Sequence, residues 1–237
     1  MSVPAHIKWT YLPQGDRSLL IRFSDHEVIE QEIGQLCVQA AQALRDSALP
    51  GVVDIVPSFN AVVVHHLPGE LSQAALQTHI EQVLLHVFSK TANLPTPRIV
   101  DIPVCYGQEW GPDLEDLAQL LSVSQERVIQ LHSQKPLLVF MVGFAPGAPY
   151  MGIHEPELDV PRRATPRTHI AAGSVAIANR QSIIYPNISP GGWHVIGRTP
   201  LTLFQPGQTP PTLLGPGDQV RFVPISPEQF QNWPAPT

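Results

Sequence analysis

Residues 185–200 read YPNISPGGWHVIGRTP, and this stretch decides what the C-terminal part of the chain can be. Pro186, Pro190 and Pro200 fix backbone torsions, while Gly191 and Gly192 permit close approaches that a Cβ would forbid. Between these stiff turns lies the short β-favouring run WHVIG, and a short strand bounded by Gly/Pro turns on both sides is a unit of all-β architecture. GFAPGAPYMG (143–152) has the same character and reads as a second rigid loop. Further short runs predict strands near 98–105, 137–143, 169–178, 181–185, 193–197, 200–204 and 219–225. Together they read as a closed or nearly closed β-barrel. One helical insert interrupts it, GPDLEDLAQLLSVSQERVIQLHS, with Pro112 at a first helical position and Ser124 as an N-cap.

Ahead of the barrel, TANLPTP (91–97) has no periodicity, and its prolines disfavour helix on either side, so it reads as a linker. Before it, IKWTYL and SLLIRF flank a Pro-Gln-Gly-Asp-Arg turn and predict a hairpin. From His26 to Ala48 the apolar positions Ile29, Ile33, Leu36, Cys37, Ala40, Ala41 and Leu44 recur at helical spacing, and Pro50-Gly51 ends the pattern. VVDIVP and NAVVVHHL supply two more strands, and a second helix runs from Leu71 to Lys90. The order ββαββα predicts an α+β domain with helices on one face of a mainly antiparallel sheet. The expected organisation is an α+β N-terminal domain over residues 1–92 and a β-barrel domain over 93–237.

The 237 residues are 43% hydrophobic and 14% charged, a composition that folds rather than one that stays disordered. A net charge of −6 gives no mean attraction to nucleic acid or to an anionic membrane surface. The insert could superficially pass for a helix-turn-helix, but Asp113, Glu115, Asp116 and Glu126 against a single Arg127 would repel phosphate. Cys37 and Cys105 are far apart and form no C-x-x-C, which fits two buried thiols in a reducing compartment. No run of about 18 apolar residues occurs and the N-terminal stretch lacks a signal-peptide pattern, so a cytoplasmic location is expected.

The strongest chemical signal is an absence. Between Asp159 and Asp218, 58 consecutive residues contain no Asp or Glu, yet they hold five of the eleven arginines, Arg162, Arg163, Arg167, Arg180 and Arg198. Arginine's planar fork suits a bidentate grip on carboxylate or phosphate. Glu155, Glu157 and Asp159 immediately precede the first three and offer them an alternative, purely structural partner. Arg162, Arg163 and Arg167 are candidate substrate-binding residues, together with Ser174, Ser189, Gly191, Gly192, Trp193, Pro146, Gly147 and Tyr150. The Gly-Gly amides can form an anion-binding concavity beside the flat wall of Trp193. His194 is the loop's group with an ordinary pKa near neutrality, and with Arg198 and Tyr185 it forms the candidate catalytic set.

Metal ligation is not indicated: His65 and His66 are neighbours on a strand and point to opposite faces, and His79 and His86 lie two helical turns apart. No phosphate-binding P-loop, dinucleotide fingerprint or kinase catalytic loop is present, so no cofactor is bound by a recognisable motif and any ATP-dependent step needs another chain.

The runs IPVCYGQEWGPDLEDLA, VGFAPGAPYMG, PRRATPRTHIAAGSVAIA, IIYPNISPGGWHVIGRTPLTLF and PGDQVRFVPI resemble the KipI family, also called allophanate hydrolase subunit 1-like or the B subunits of 5-oxoprolinase. The likeness is strong over 98–225 and weaker through GDRSLLIRF and DIVPSFNAVVVHH. It implies that the barrel is cyclophilin-like. It also implies partners: a homologous cyclophilin-like subunit of the KipA type and a LamB/YcsF-type protein, which together form an ATP-dependent 5-oxoprolinase acting on a small carboxylate. Two other activities come with the resemblance, inhibition of a sporulation histidine kinase and the carboxyltransferase step of a urea carboxylase whose biotin sits on a partner. The chain departs from the family's pattern at Ala148, Ala171 and His194, where Phe, Pro and Gln are expected. A smaller residue at 148 would enlarge the pocket.

Overall fold

The computed structural model describes residues 7–26, 29–89 and 97–234. The chain divides into two compact units, Met1–Thr96 and Pro97–Thr237. The expected linker and the boundary at 92/93 fall almost wholly outside the described residues.

In the first unit the hairpin forms as β1 (Thr10–Pro13) and β2 (Ser18–Arg22), followed by α1 (Gln31–Asp46), β3 (Val52–Pro57), β4 (Ala61–His66) and α2 (Gln73–Ser89). The four strands make one antiparallel sheet in the order β1-β2-β4-β3. The α1 stripe Cys37, Ala40, Ala41 and Leu44 is buried with Leu76, Ile80 and Leu84 of α2 against Leu19, Ile21, Val62 and Val64 of the sheet. Burial pushes the Cys37 thiol up to about 12, so it is an inert core thiol.

The second unit runs β5 (Ile99–Tyr106), α3 (Leu114–Leu120), α4 (Gln125–Ser133), β6 (Leu137–Val142), β7 (Pro149–Gly152), β8 (Arg167–Ile170), β9 (Ser174–Ala178), β10 (Gln181–Ile184), β11 (Ser189–Gly191), β12 (His194–Arg198), β13 (Gln219–Pro224) and α5 (Pro227–Gln231). Seven strands close a barrel in the order β10-β7-β6-β13-β5-β12-β9, and β8 and β11 form a separate two-stranded ribbon. The wall is antiparallel except where β13 runs parallel to β5. Ile102, Val104, Val139, Met151, Val175, Ile184 and Phe222 fill part of its core.

Four local expectations are corrected. The run 169–178 is two strands, broken where Gly173 adopts φ +81° and a Cβ would lie 2.4 Å from Thr199 O. Residues 200–204 form no strand, only an isolated bridge from Phe204 to Thr212. The loop 143–152 ends as β7. Ser124 does cap α4, its side chain accepting from the Arg127 amide at 3.2 Å, but α3 begins at Leu114, so Pro112 lies just outside it and Asp113 occupies the cap position.

Candidate functional site

The window that is acid-free in sequence does not stay so in space. Asp113 makes no capping bond to α3; its side chain is 1% exposed, and Arg163 Nη1 and Arg167 Nη2 both donate to its Oδ1. The Val195 amide donates to its Oδ2 at 2.8 Å. The expectation of unneutralised guanidiniums is therefore corrected at 163 and 167, where an acid 50 and 54 residues away is the partner. Two of the acids considered for that part pair elsewhere, Glu155 with Lys135 and Glu157 with Arg127. One carboxylate shared by two guanidiniums leaves a local excess of positive charge and ties the 161–167 segment to β12.

Beside this node lies a cleft of about 180 Å³ lined by Phe144, Tyr150, Arg162, Ile183, Tyr185, Gly191, Gly192 and Trp193. Its walls are aromatic: Tyr150 meets Trp193 edge-on at 5.8 Å, and Phe144 meets Tyr185 at 6.2 Å. Arg162, exposed, stacks its guanidinium 5.8 Å above the Trp193 ring. Tyr185 is buried, and burial pushes its hydroxyl up to about 12, with Tyr150 adding to the shift while a hydrogen bond with the Trp193 backbone and the charge of Arg162 oppose it. It remains a neutral hydroxyl near pH 7. Gly191 is required by this packing, because a Cβ there would sit 2.2 Å from Tyr185 Oη and 2.8 Å from Ile170 Cδ1. Gly192 is not so constrained; its nearest Cβ contact would be an ordinary 3.7 Å to Pro166.

A second cleft, about 130 Å³, is lined by Glu109, Trp110, Pro112, Arg167, His169, Ile170, Ala171, Ser174, Val195 and Arg198. Arg198 and Ser174 are direct cross-strand partners, and Arg167 and His169 stand two apart on β8, so each pair shares a face. Arg198 is oriented by its Nε donating to Ala172 O at 2.8 Å. The residues expected to form one cradle thus divide between two clefts.

The remaining candidates line neither cleft. His194 Nε2 donates to Pro161 O at 3.0 Å and lines neither cleft, so this bond ties β12 to the arginine segment. Pro146 and Gly147 belong to the β6–β7 turn, where Gly147 has φ +81°, and neither lines a cleft. Ser189 stands on β11 opposite Ile170, outside both linings. Ala148 is fully buried in one core cluster with Ile183, Tyr185 and Trp193 of the cleft lining, so it packs behind that wall without lining the cleft itself.

Sequence reasoning missed the role of Asp113, which reads there only as one of the insert's four acids. It also missed a buried polar chain in the barrel. Tyr106 Oη is hydrogen-bonded to His132 Nδ1 at 2.8 Å, His132 Nε2 to Ser182 Oγ at 3.0 Å, and Ser182 Oγ to His154 Nε2 at 2.7 Å. The two imidazoles stack 5.0 Å apart. Burial, aided by the charges of Lys135 and Arg180, lowers His154 to about 3, and burial with the neighbouring His154 lowers His132 well below its ordinary value. Only the alternation of the strand residues and the helical phase of His132 could have hinted at this cluster. Among the described residues no group of three or more His, Cys, Asp or Glu is placed to hold a metal ion, and no helix is long and apolar enough to cross a membrane.

A family profile, carboxyltransferase domain, subdomain C and D, matches residues 9–214. The B subunit of 5-oxoprolinase from Bacillus subtilis is 39% identical, with 91% of this chain and 92% of that protein covered. The B subunit of 5-oxoprolinase from Escherichia coli O157:H7 is 42% identical over 78% of this chain and 82% of that protein. The crystal structure of TTHA0988 superposes with a TM-score of 0.77 at 33% identity, covering 93% of this chain and 41% of that longer one. The chain belongs to the carboxyltransferase-domain family that contains the B subunits of 5-oxoprolinase.

Proposed function

We propose that this chain is a non-autonomous subunit of an ATP-dependent 5-oxoprolinase and that the aromatic cleft receives 5-oxoproline. The observation that carries this reading is the match between ligand and walls: a flat five-membered lactam bearing one carboxylate, and an aromatic slot bearing one arginine, in a family whose relatives are named for that activity. The ring lies between Trp193 and Phe144, and Arg162 holds the carboxylate. The Gly191–Gly192 amides polarise the lactam carbonyl, with Tyr185 as a neutral hydroxyl donor. Water adds across the lactam C–N bond to give L-glutamate while ATP is hydrolysed in the same cycle, with the nucleotide handled by a partner.

The partners in this reading are a homologous cyclophilin-like subunit and a LamB/YcsF-type subunit, the barrel is of the cyclophilin-like class, and the setting is cytoplasmic. Mixing the three purified proteins with ATP and 5-oxoproline is expected to release glutamate only when this chain is present. Equal release without it refutes the proposal. The carboxyltransferase profile favours one second reading, carboxyl transfer to a urea-like acceptor from biotin on another chain. Carboxylation that depends on biotin and on this chain, with no glutamate release, would select it.

A further inference from the structure

The second cleft is a distinct site, and we infer that it binds a phosphoryl oxyanion. Its donors converge from three strands. Arg198 on β12 has its Nε committed to Ala172 O, which aims the fork, and among the described residues its two terminal nitrogens carry no hydrogen bond. Its cross-strand partner Ser174 on β9 is 4% exposed, lines the cleft, and has a hydroxyl that no hydrogen bond of the described residues uses. On β8, Arg167 spends its Nε and Nη2 on Asp113 and keeps Nη1, while the exposed His169 lines the same cleft two residues further on.

Charge points the same way. Asp113 is shared between Arg163 and Arg167, so it does not neutralise Arg198 as well, and Glu109 is the one acid of the lining and is exposed to water. Two guanidiniums, a hydroxyl and an imidazole supply more donors, from more directions, than the two coplanar oxygens of a carboxylate can accept, whereas a tetrahedral phosphoryl group offers three or four acceptors. A space of about 130 Å³ suits such a small group. Ile170 lines this cleft and also lies where a Cβ on Gly191 would intrude, so one buried side chain separates the anion site from the aromatic slot.

The test is titration of the full chain with inorganic phosphate, followed by calorimetry and by backbone amide NMR, with acetate as the planar comparison. Saturable binding is expected, with shifts centred on Ser174, His169 and Arg198 and with acetate weaker. Arg198→Gln and Arg198→Lys should each weaken it about tenfold or more, the second because a point charge replaces the fork, and Ser174→Ala about fivefold. Arg221→Gln, an exposed surface pair, should leave it unchanged. ATP titrated in parallel separates the sources: binding of phosphate alone assigns the free anion, and ATP binding with the same dependence on Arg198 assigns a nucleotide's terminal phosphoryl group. Absence of saturable binding of either, acetate binding as tightly as phosphate, or affinity that follows Arg162 instead of Arg198 would overturn the assignment. Binding is read on this chain alone, so its failure leaves the hydrolase reading standing.

Discussion

Arg163 and Arg167 are held by Asp113, whereas Arg162 and Arg198, drawn from the same acid-free window, have no carboxylate partner among the described residues. A run without acids in sequence is therefore not a region without acids in space. A single buried carboxylate from the helical insert converts half of an expected ligand cradle into a clamp, and the other two arginines line separate small clefts.

The largest effect is expected at the shared carboxylate. Asp113→Ala strands two guanidiniums and the Val195 amide, and should cost about 3 kcal/mol, the low end for a broken buried ion pair because the Arg163 and Arg167 side chains are 26% and 33% exposed. Urea denaturation checks it, and a loss below about 1 kcal/mol would mean that the node is not structural. The buried His132–Ser182–His154 chain extends the contrast to groups that never meet solvent. Both imidazoles are held neutral in the fold and titrate near 6.5 when unfolded, so the stability they contribute is full above about pH 6.5 and is lost as pH falls below it, down to about 3 for His154, while His132, also held well below its ordinary value, follows in the same direction. Stability measured from pH 7 to 4 should decline accordingly, and Ser182→Ala, which removes the shared hydroxyl, should cost about 1–3 kcal/mol at pH 7.

Next in size is Gly191→Ala, which drives a methyl into Tyr185 and Ile170 and should cost about 1–3 kcal/mol, while Gly192→Ala, with ordinary contacts, should stay within about 0.5 kcal/mol. Parallel thermal melts of the two variants read this directly. The smallest effect is expected at Arg162: Arg162→Gln removes an exposed cation from one aromatic face and should change stability by less than about 1 kcal/mol.

Much of this was legible in the chain itself. The ββαββα order, the α1 stripe and the barrel with its helical insert follow from periodicity and Gly/Pro punctuation, which are local signals. The stiff turns at Gly191–Gly192 do line a cleft, and Trp193 does form its wall. The break at Gly173 was hidden because AAGSVAIA reads as one β-favouring run, and the tight approach of Thr199 that demands glycine there is a tertiary fact. Asp113, Ser182 and the two buried histidines were illegible for the same reason. Their partners lie 26 to 82 residues away, and nothing local distinguishes an acid that caps a helix from one that crosses to another strand. The bond from His194 to Pro161 O was illegible too, because its partner lies 33 residues away.

The most direct test of the account is the kcat/KM for 5-oxoproline of the reconstituted three-component hydrolase carrying Arg162→Gln. A fall of about tenfold to a hundredfold, expressed chiefly in KM with the fold intact, is the predicted result. An unchanged kcat/KM would contradict the assignment of the aromatic cleft to the substrate's carboxylate.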